Sequence, residues 1–188
     1  MAILQALLLD IPDSASTSRL ELKANRPGGG AVINAAFVES HAELRPWMPW
    51  ARETMTVEQS EEHCRRMHAR WHSREELDFC FWRKSDGVLV GKGGLHTIDW
   101  DIPKFEIGYW IRTSCTRQGY ATEATLGLVQ YAREHLGACR LEITSDARNV
   151  ASRRVAEKSG FELEGIRRAS RRDFAGALAD SCMYARVF

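Results

Sequence analysis

Long hydrophobic runs are missing from this chain. No stretch approaches the roughly 20 apolar residues that a bilayer-spanning helix requires, so no transmembrane segment is expected. Residues Met1 to Asp10 lack a basic region and a small-residue cleavage site, so a signal peptide is not expected either. An excess of one charge is also absent. Lys plus Arg number 26 and Asp plus Glu 25, a formal net charge of +1. General binding to nucleic acid or another polyanion is therefore not expected. No CxxC occurs, and Cys64, Cys80, Cys115, Cys139 and Cys182 are odd in number and scattered. That usage fits a reduced, cytoplasmic protein. There is no internal repeat, low-complexity tract or linker. With 188 residues and a hydrophobic fraction of 44%, the chain reads as one folded domain over residues 1–188.

What is present is a mixture of strand and helix signals. The apolar run Leu4–Leu9 and the alternating stretch Arg19–Ala24 read as strands. Ala31 to Leu44 reads as a helix, after the turn Arg26-Pro-Gly-Gly-Gly30. It is followed by Arg45-Pro-Trp-Met-Pro-Trp50, where two prolines disfavour continuation. Thr56 with Gln59 predicts a capping box opening a polar helix to about Trp71. Asp78–Arg83 and Val88–Ile98 flank Asp86-Gly87, a hairpin signal. Phe105–Ile111 is another strand. Gly119 to Leu136 carries the helical stripe Ala124, Leu128, Ala132 and Leu136. Arg140–Ser145 is a strand, and Val150 to Lys158 a short helix stopped by Gly160. Phe161–Ala169 and Cys182–Phe188 form a closing pair of strands. Adjacent strands imply antiparallel hairpins, and the late β-α-β unit implies local parallel pairing. The fold class is α+β, a mixed sheet with a discontinuity between its halves.

The most informative segment runs from Trp110 to Ala124. A strand ends, a polar loop follows, and a helix opens at Gln118-Gly-Tyr-Ala121. Gly119 and Ala121 are small enough for a ligand to approach the main chain. Free N–H groups at a helix start form an anion site, and Arg117 adds a cation beside it. An ordinary strand–loop–helix is the plainer reading. The pattern is neither a Walker A loop nor a dinucleotide GxGxxG.

Arg117-Gln-Gly-Tyr-Ala-Thr-Glu-Ala124 resembles the pyrophosphate-binding motif of the GNAT acetyltransferase superfamily, in its RimJ/RimL-type branch. Phe105-Glu-Ile-Gly-Tyr-Trp-Ile111 resembles that branch's preceding strand. Asn149 to Phe161 is similar to its Asn-x-x-Ser helix ending in Gly-Phe, and Leu44 to Trp50 to its Trp/Pro-rich loop. These four segments stand in the expected order across most of residues 18–188. Two features depart from the superfamily pattern. Thr116 occupies the position of the motif's first Gln/Arg, and Ala156 the position where many members carry a tyrosine.

The resemblance implies a GNAT fold whose sheet splays into a V-shaped cleft between Phe105–Ile111 and Arg140–Ser145. It implies acetyl-CoA as co-substrate, with no metal, and transfer of an acetyl group to a primary amine. The pyrophosphate is expected on the N–H groups of Gln118, Gly119, Tyr120, Ala121 and Thr122, with Arg112 and Arg117 nearby. The oxyanion donor is expected at a strand bulge around Trp110 or Ile111. Asn149 is assigned to the pantetheine, and Ser152 to the leaving thiolate. Glu106 is the first candidate for the base and Glu142 the second, against the plainer reading of exposed strand carboxylates. Trp47 and Trp50 are assigned to the acceptor wall, against membership of an aromatic core. The favoured acceptor is a protein N-terminal α-amine of the ribosomal-protein type. A small-molecule amine is the alternative, and a non-catalytic acyl-CoA-binding module a third reading. The resemblance also admits a homodimer.

Three further patterns receive plain readings. Cys64, His68 and His72 share a helical face, but no carboxylate completes a metal site. The basic run Ile166 to Arg172 is read as a solvated hairpin. Gly91-Lys-Gly-Gly94 is read as a bulged strand centre.

Overall fold

The computed structural model describes residues 3–188. Its strands are β1 (Ser14–Ser16), β2 (Leu20–Ala24), β3 (Leu77–Arg83), β4 (Leu89–Asp99), β5 (Lys104–Ile111), β6 (Arg140–Asp146), β7 (Glu162–Arg172) and β8 (Leu178–Val187). Its helices are α1 (Ile3–Leu7), α2 (Gly30–Leu44), α3 (Val57–His72), α4 (Tyr120–Leu136) and α5 (Val150–Lys158). All eight strands join one sheet in the order β1-β2-β3-β4-β5-β6-β8-β7. Every pairing is antiparallel except β5 with β6. This is the mixed, mostly antiparallel α+β sheet expected from the sequence.

Local chemistry explains most of these elements. The Thr56 side chain accepts from the Gln59 N–H, and the Gln59 side chain accepts from the Thr56 N–H, so the capping box starts α3. The β3–β4 hairpin closes at Asp86-Gly87, where Arg83 binds both Asp86 oxygens. In α4, Ala124, Leu128, Ala132 and Leu136 are all at most 1% exposed. That stripe packs on one face of the sheet with Phe79, Phe81 and Phe105. On the other face α2 and α3 enclose a smaller core of Ile33, Phe37, Cys64, Cys80, Leu89 and Trp110.

Four expectations are corrected. Leu4–Leu9 is not a strand, since Ile3–Leu7 is helical. A short apolar run fits either conformation, and Ala6 is buried against the main core from the helix. The closing strands are longer than Phe161–Ala169 and Cys182–Phe188: β7 continues to Arg172, so the basic run lies on an exposed hairpin as read, with a register shift between Arg167 and Arg171 and Ala169 at φ +49°. The bulge expected within Gly91–Gly94 lies one residue earlier. Phe81 pairs with Gly91 and Trp82 with Leu89, which leaves Val90 as the extra residue. No bulge occurs at Trp110 or Ile111, because the β4–β5 register is unbroken from Gly91↔Ile111 to His96↔Glu106.

The sheet is interrupted between β5 and β6. They pair through only Lys104↔Arg140, Phe105↔Leu141 and Glu106↔Glu142. Beyond Glu106 the two strands part, and that divergence creates the cleft.

Candidate active site

A cavity of about 1000 Å³ opens between the parting strands and continues under α2 and α3. The edge of β5 inside it has an unusual property. The Arg112 N–H donates to the Val90 carbonyl at 2.8 Å. Antiparallel alternation then commits the N–H groups of Trp110 and Gly108 to β4. The N–H groups of Ile107, Tyr109 and Ile111 face the opposite edge; the Glu106↔Glu142 register spends that of Ile107 on β6, and those of Tyr109 and Ile111 face the cleft beyond it. Of the two residues named for an oxyanion donor, Ile111 therefore has its N–H on the cleft edge and Trp110 does not. The Trp110 ring packs in the smaller core and lines the cavity.

Beyond the end of β5 the loop 112–119 leads into α4, whose start lies outside the cavity lining. Gly119 has φ +82°, and α4 has no side-chain N-cap. Its first-turn N–H groups are thus directed at whatever lies before the helix. A Cβ on Gly119 would lie 3.4 Å from the Arg19 Nη2. The Arg19 Nη1 donates to the Gln118 carbonyl at 3.0 Å, and its guanidinium lies 4.6 Å over the Tyr120 ring. Glu123 fastens this corner. It accepts from the Thr17 hydroxyl at 2.6 Å, the Arg19 N–H at 2.7 Å and the Arg19 Nε at 2.6 Å. Arg19 carries no motif signal, and the sequence reading missed it. Arg112 is not directed at the loop, since Glu39 of α2 holds its Nε at 2.6 Å. Arg117 is exposed at φ +61°. Tyr120 is buried, whereas Ala121 and Thr122 are half-buried.

At the branch point the candidate residues separate. Asn149 caps α5 by accepting from the Ser152 N–H at 3.0 Å. The Ser152 Oγ lies 3.1 Å from the Tyr109 hydroxyl, which also donates to the Ser152 carbonyl at 3.2 Å. Burial pushes the Tyr109 phenol up to about 12, and the hydrogen bond with Ser152 offsets only part of that. Tyr109 was not singled out from sequence; its odd-numbered place on β5 was the available signal. Glu106 lines the cavity. Glu142 does not, because Arg140 binds it at 2.7 Å and bridges to Glu164. The second base candidate is thus drawn into an ion-pair network away from the cleft lining.

The lobe under α2 and α3 is walled by Phe37, Trp47, Met48, Trp50 and Met55. Trp50 is half exposed, with its ring 5.6 Å from Phe37. The floor holds a buried polar group. Lys92 pairs with Asp78 at 2.9 Å, and its Nζ lies 3.1 Å from the His63 Nε2. Burial, then the charge on Lys92, pushes His63 down to about 4, so the imidazole is neutral. On the opposite wall Arg171 pairs with Asp146. Cys64, by contrast, points into the smaller core, while His68 and His72 stack edge to face at 4.7 Å.

Comparison with known proteins agrees with this geometry. The acetyltransferase (GNAT) domain family profile matches residues 19–162. A probable N-acetyltransferase of Bacillus subtilis, YjcK, is 32% identical over 136 residues, covering 72% of each chain. The putative ribosomal N-acetyltransferase YdaF of the same organism is 41% identical over 80 residues. That match spans 43% of this chain and 44% of YdaF, so the chain spans less than half the length of that relative. Among solved structures, the ribosomal L7/L12 α-N-protein acetyltransferase RimL in complex with coenzyme A superposes with a TM-score of 0.86. It is 21% identical, with 95% of this chain and 97% of that chain covered, a likeness of fold.

Proposed function

This chain belongs to the GNAT acetyltransferase family, and from that premise we propose that it transfers the acetyl group of acetyl-CoA to a protein N-terminal α-amine. The acceptor is of the kind that ribosomal proteins present, and attack is direct, in a ternary complex over residues 1–188 as one domain. The observation that carries this reading is the cleft itself. An unpaired strand edge on β5 leads into an open, aromatic-walled lobe, and the helix that follows that strand, α4, starts without a side-chain cap.

The residues fit a phosphopantetheine arm. Gln118, Gly119, Tyr120, Ala121 and Thr122 hold the pyrophosphate through main-chain N–H groups and the α4 dipole. Arg117 supplies exposed positive charge beside them. The outward N–H groups of Tyr109 and Ile111, with the C=O groups of Ile107 and Tyr109, receive an extended amide chain as an added strand does. Asn149, at the start of α5, faces the same arm. The acetyl group then lies at the branch point, where the Ile111 or Tyr109 N–H donates to the oxygen that gains charge. Ser152, with Tyr109 behind it, donates to the departing sulfur.

An α-amino group has an ordinary pKa of about 7.7–8.0, against about 10.4 for a lysine amine. A weak base thus suffices for an N-terminus, and Glu106 serves directly or through a neighbour. Trp47 and Trp50 form a wall for the residues after the acceptor amine. The names carried by YdaF and RimL support the same acceptor class.

The test is thiol release from acetyl-CoA with a panel of N-terminal peptides, polyamines and amino sugars. Turnover with peptides bearing a free α-amine, lost when that amine is blocked, is the expected result. Turnover confined to small amines would overturn the protein acceptor. Tight coenzyme binding without turnover of any amine would make the chain a binding module.

A further inference from the structure

His96 and Glu106 stand directly opposite each other on β4 and β5, so both side chains share one face of the sheet. Both line the cavity. The imidazole lies over Gly108, where a Cβ would stand 2.9 Å from the His96 Nε2 and 3.3 Å from its Cδ2. Nε2 therefore rests on the β5 main chain next to Tyr109, at the edge from which β6 has departed. The other ring nitrogen faces oxygens. Nδ1 is 2.9 Å from the Thr97 hydroxyl and 3.9 Å from the Glu106 carboxylate.

The backbone after His96 is irregular in a way that supports this placement. Thr97 is β-branched yet has φ +49°, a conformation such residues rarely adopt. The β4–β5 register also shifts between His96 and Asp99. Strain of this kind persists only where surrounding structure enforces it. Here it holds the Thr97 hydroxyl against Nδ1. The carboxylate beyond favours a proton on Nδ1, which leaves the lone pair on Nε2, the nitrogen over Gly108.

We propose that His96 is the catalytic base, with Nε2 taking the proton of the acceptor amine and Glu106 and Thr97 positioning the ring through Nδ1. This rests on the acetyltransferase reading above and names the neighbour through which Glu106 acts. The neutral amine attacks the acetyl carbonyl carbon. As the C–N bond forms, one N–H proton passes to Nε2. The C–S bond breaks with its electron pair on sulfur, and a proton reaches sulfur from solvent through the Tyr109 and Ser152 hydroxyls. Glu106 offsets the imidazolium charge until the ring, part-exposed at 38%, returns its proton to solvent. One proton leaves nitrogen and one arrives at sulfur.

The test compares wild type with His96→Gln, His96→Gly and Gly108→Ala. Thiol release is measured with the best peptide acceptor, and acetyl-CoA affinity by calorimetry. His96→Gln should lower kcat about 100-fold, the usual scale for a lost general base, while acetyl-CoA affinity stays within about twofold. Imidazole in the buffer should restore at least about tenfold of the activity lost in His96→Gly, a rescue that a structural role would not show. Gly108→Ala, which crowds the ring, should lower kcat in the same direction with acetyl-CoA still bound. A His96→Gln kcat within about threefold of wild type overturns the proposal alone, as does absence of imidazole rescue. Wild type that turns over no amine overturns the acetyltransferase reading, and the proposal with it.

Discussion

The Tyr109 hydroxyl and the Ser152 Oγ lie 3.1 Å apart, joining the free edge of β5 to the first turn of α5 across the mouth of the cleft. The two residues are 43 positions apart in sequence and meet because β6 diverges from β5 just before Tyr109. With its phenol pushed up to about 12 by burial, Tyr109 remains a hydroxyl donor throughout the neutral range.

Ser152→Ala should lower kcat by about 10- to 100-fold, with KM for acetyl-CoA changed far less. The contact strengthens only as the C–S bond breaks. Tyr109→Phe should lower kcat as well, and the double variant should lose less than the product of the two effects, because they act as one unit. Steady-state kinetics with a peptide acceptor gives all three values. Near-wild-type kcat for Ser152→Ala, with chemistry rate-limiting, would leave Ser152 only its place in the α5 turn.

Gly119→Val should weaken acetyl-CoA binding by about tenfold or more. At φ +82° a β-branched residue is strained, and its side chain would crowd both Arg19 and any anion at the helix start. The fold should persist at a cost of about 1–2 kcal/mol. Calorimetric titration of the folded variant is the measurement, and unchanged affinity would remove the pyrophosphate from this turn.

Glu123 links the β1–β2 turn to α4 and should make that link sensitive to acid. Burial pushes its carboxyl up, but hydrogen bonds from Thr17, Arg19 and Ser18 outweigh that and hold it below its ordinary value of 4.5. A carboxyl depressed on folding contributes stability above its unfolded value and loses it as pH falls through the folded one. Urea unfolding should therefore find Glu123→Gln less stable than wild type by about 1–2 kcal/mol at pH 7. The difference should shrink as the pH falls below 4.5. A gap that stays constant through that range would contradict the linkage.

The Lys92–Asp78 pair should be costly to break from one side. The two side chains are 5% and 13% exposed, and Asn25 also donates to Asp78 at 2.8 Å. Burial, the largest single effect, would lower the Lys92 pKa; the Asp78 carboxylate with the nearby Cys80 and Cys64 together outweigh it, for a net upward shift. Asp78→Ala strands the ammonium beside a neutral His63 and should destabilise by about 3–5 kcal/mol. Replacing both partners with apolar residues of similar volume should cost much less. Denaturant unfolding of the single and double variants checks both statements.

Several parts of the molecule were legible without coordinates because they are encoded by near neighbours in sequence. The α4 stripe repeats at helical spacing, Thr56 and Gln59 cap within one turn, and Asp86-Gly87 turns within two residues. The loop and uncapped helix start at Gly119, proposed to hold the pyrophosphate, are local in the same sense. Leu4–Leu9 was ambiguous because a short apolar run satisfies strand and helix alike, and its helix is decided by where Ala6 packs.

The roles of the cleft residues were decided by tertiary structure. Glu106 and Glu142 have similar sequence surroundings, yet Arg140 removes only Glu142, because Glu164 of the adjoining hairpin draws that guanidinium toward itself. Trp110 and Ile111 are adjacent, yet the register with β4 determines which N–H is spent in the ladder. Tyr109 with Ser152, and His96 with Glu106, are pairs that depend on which strands lie side by side and where one of them departs. Periodicity in a single chain specifies which face of a strand is buried. It carries no information about the neighbour across the ladder, and that neighbour is what turns an ordinary carboxylate, phenol or imidazole into part of a site.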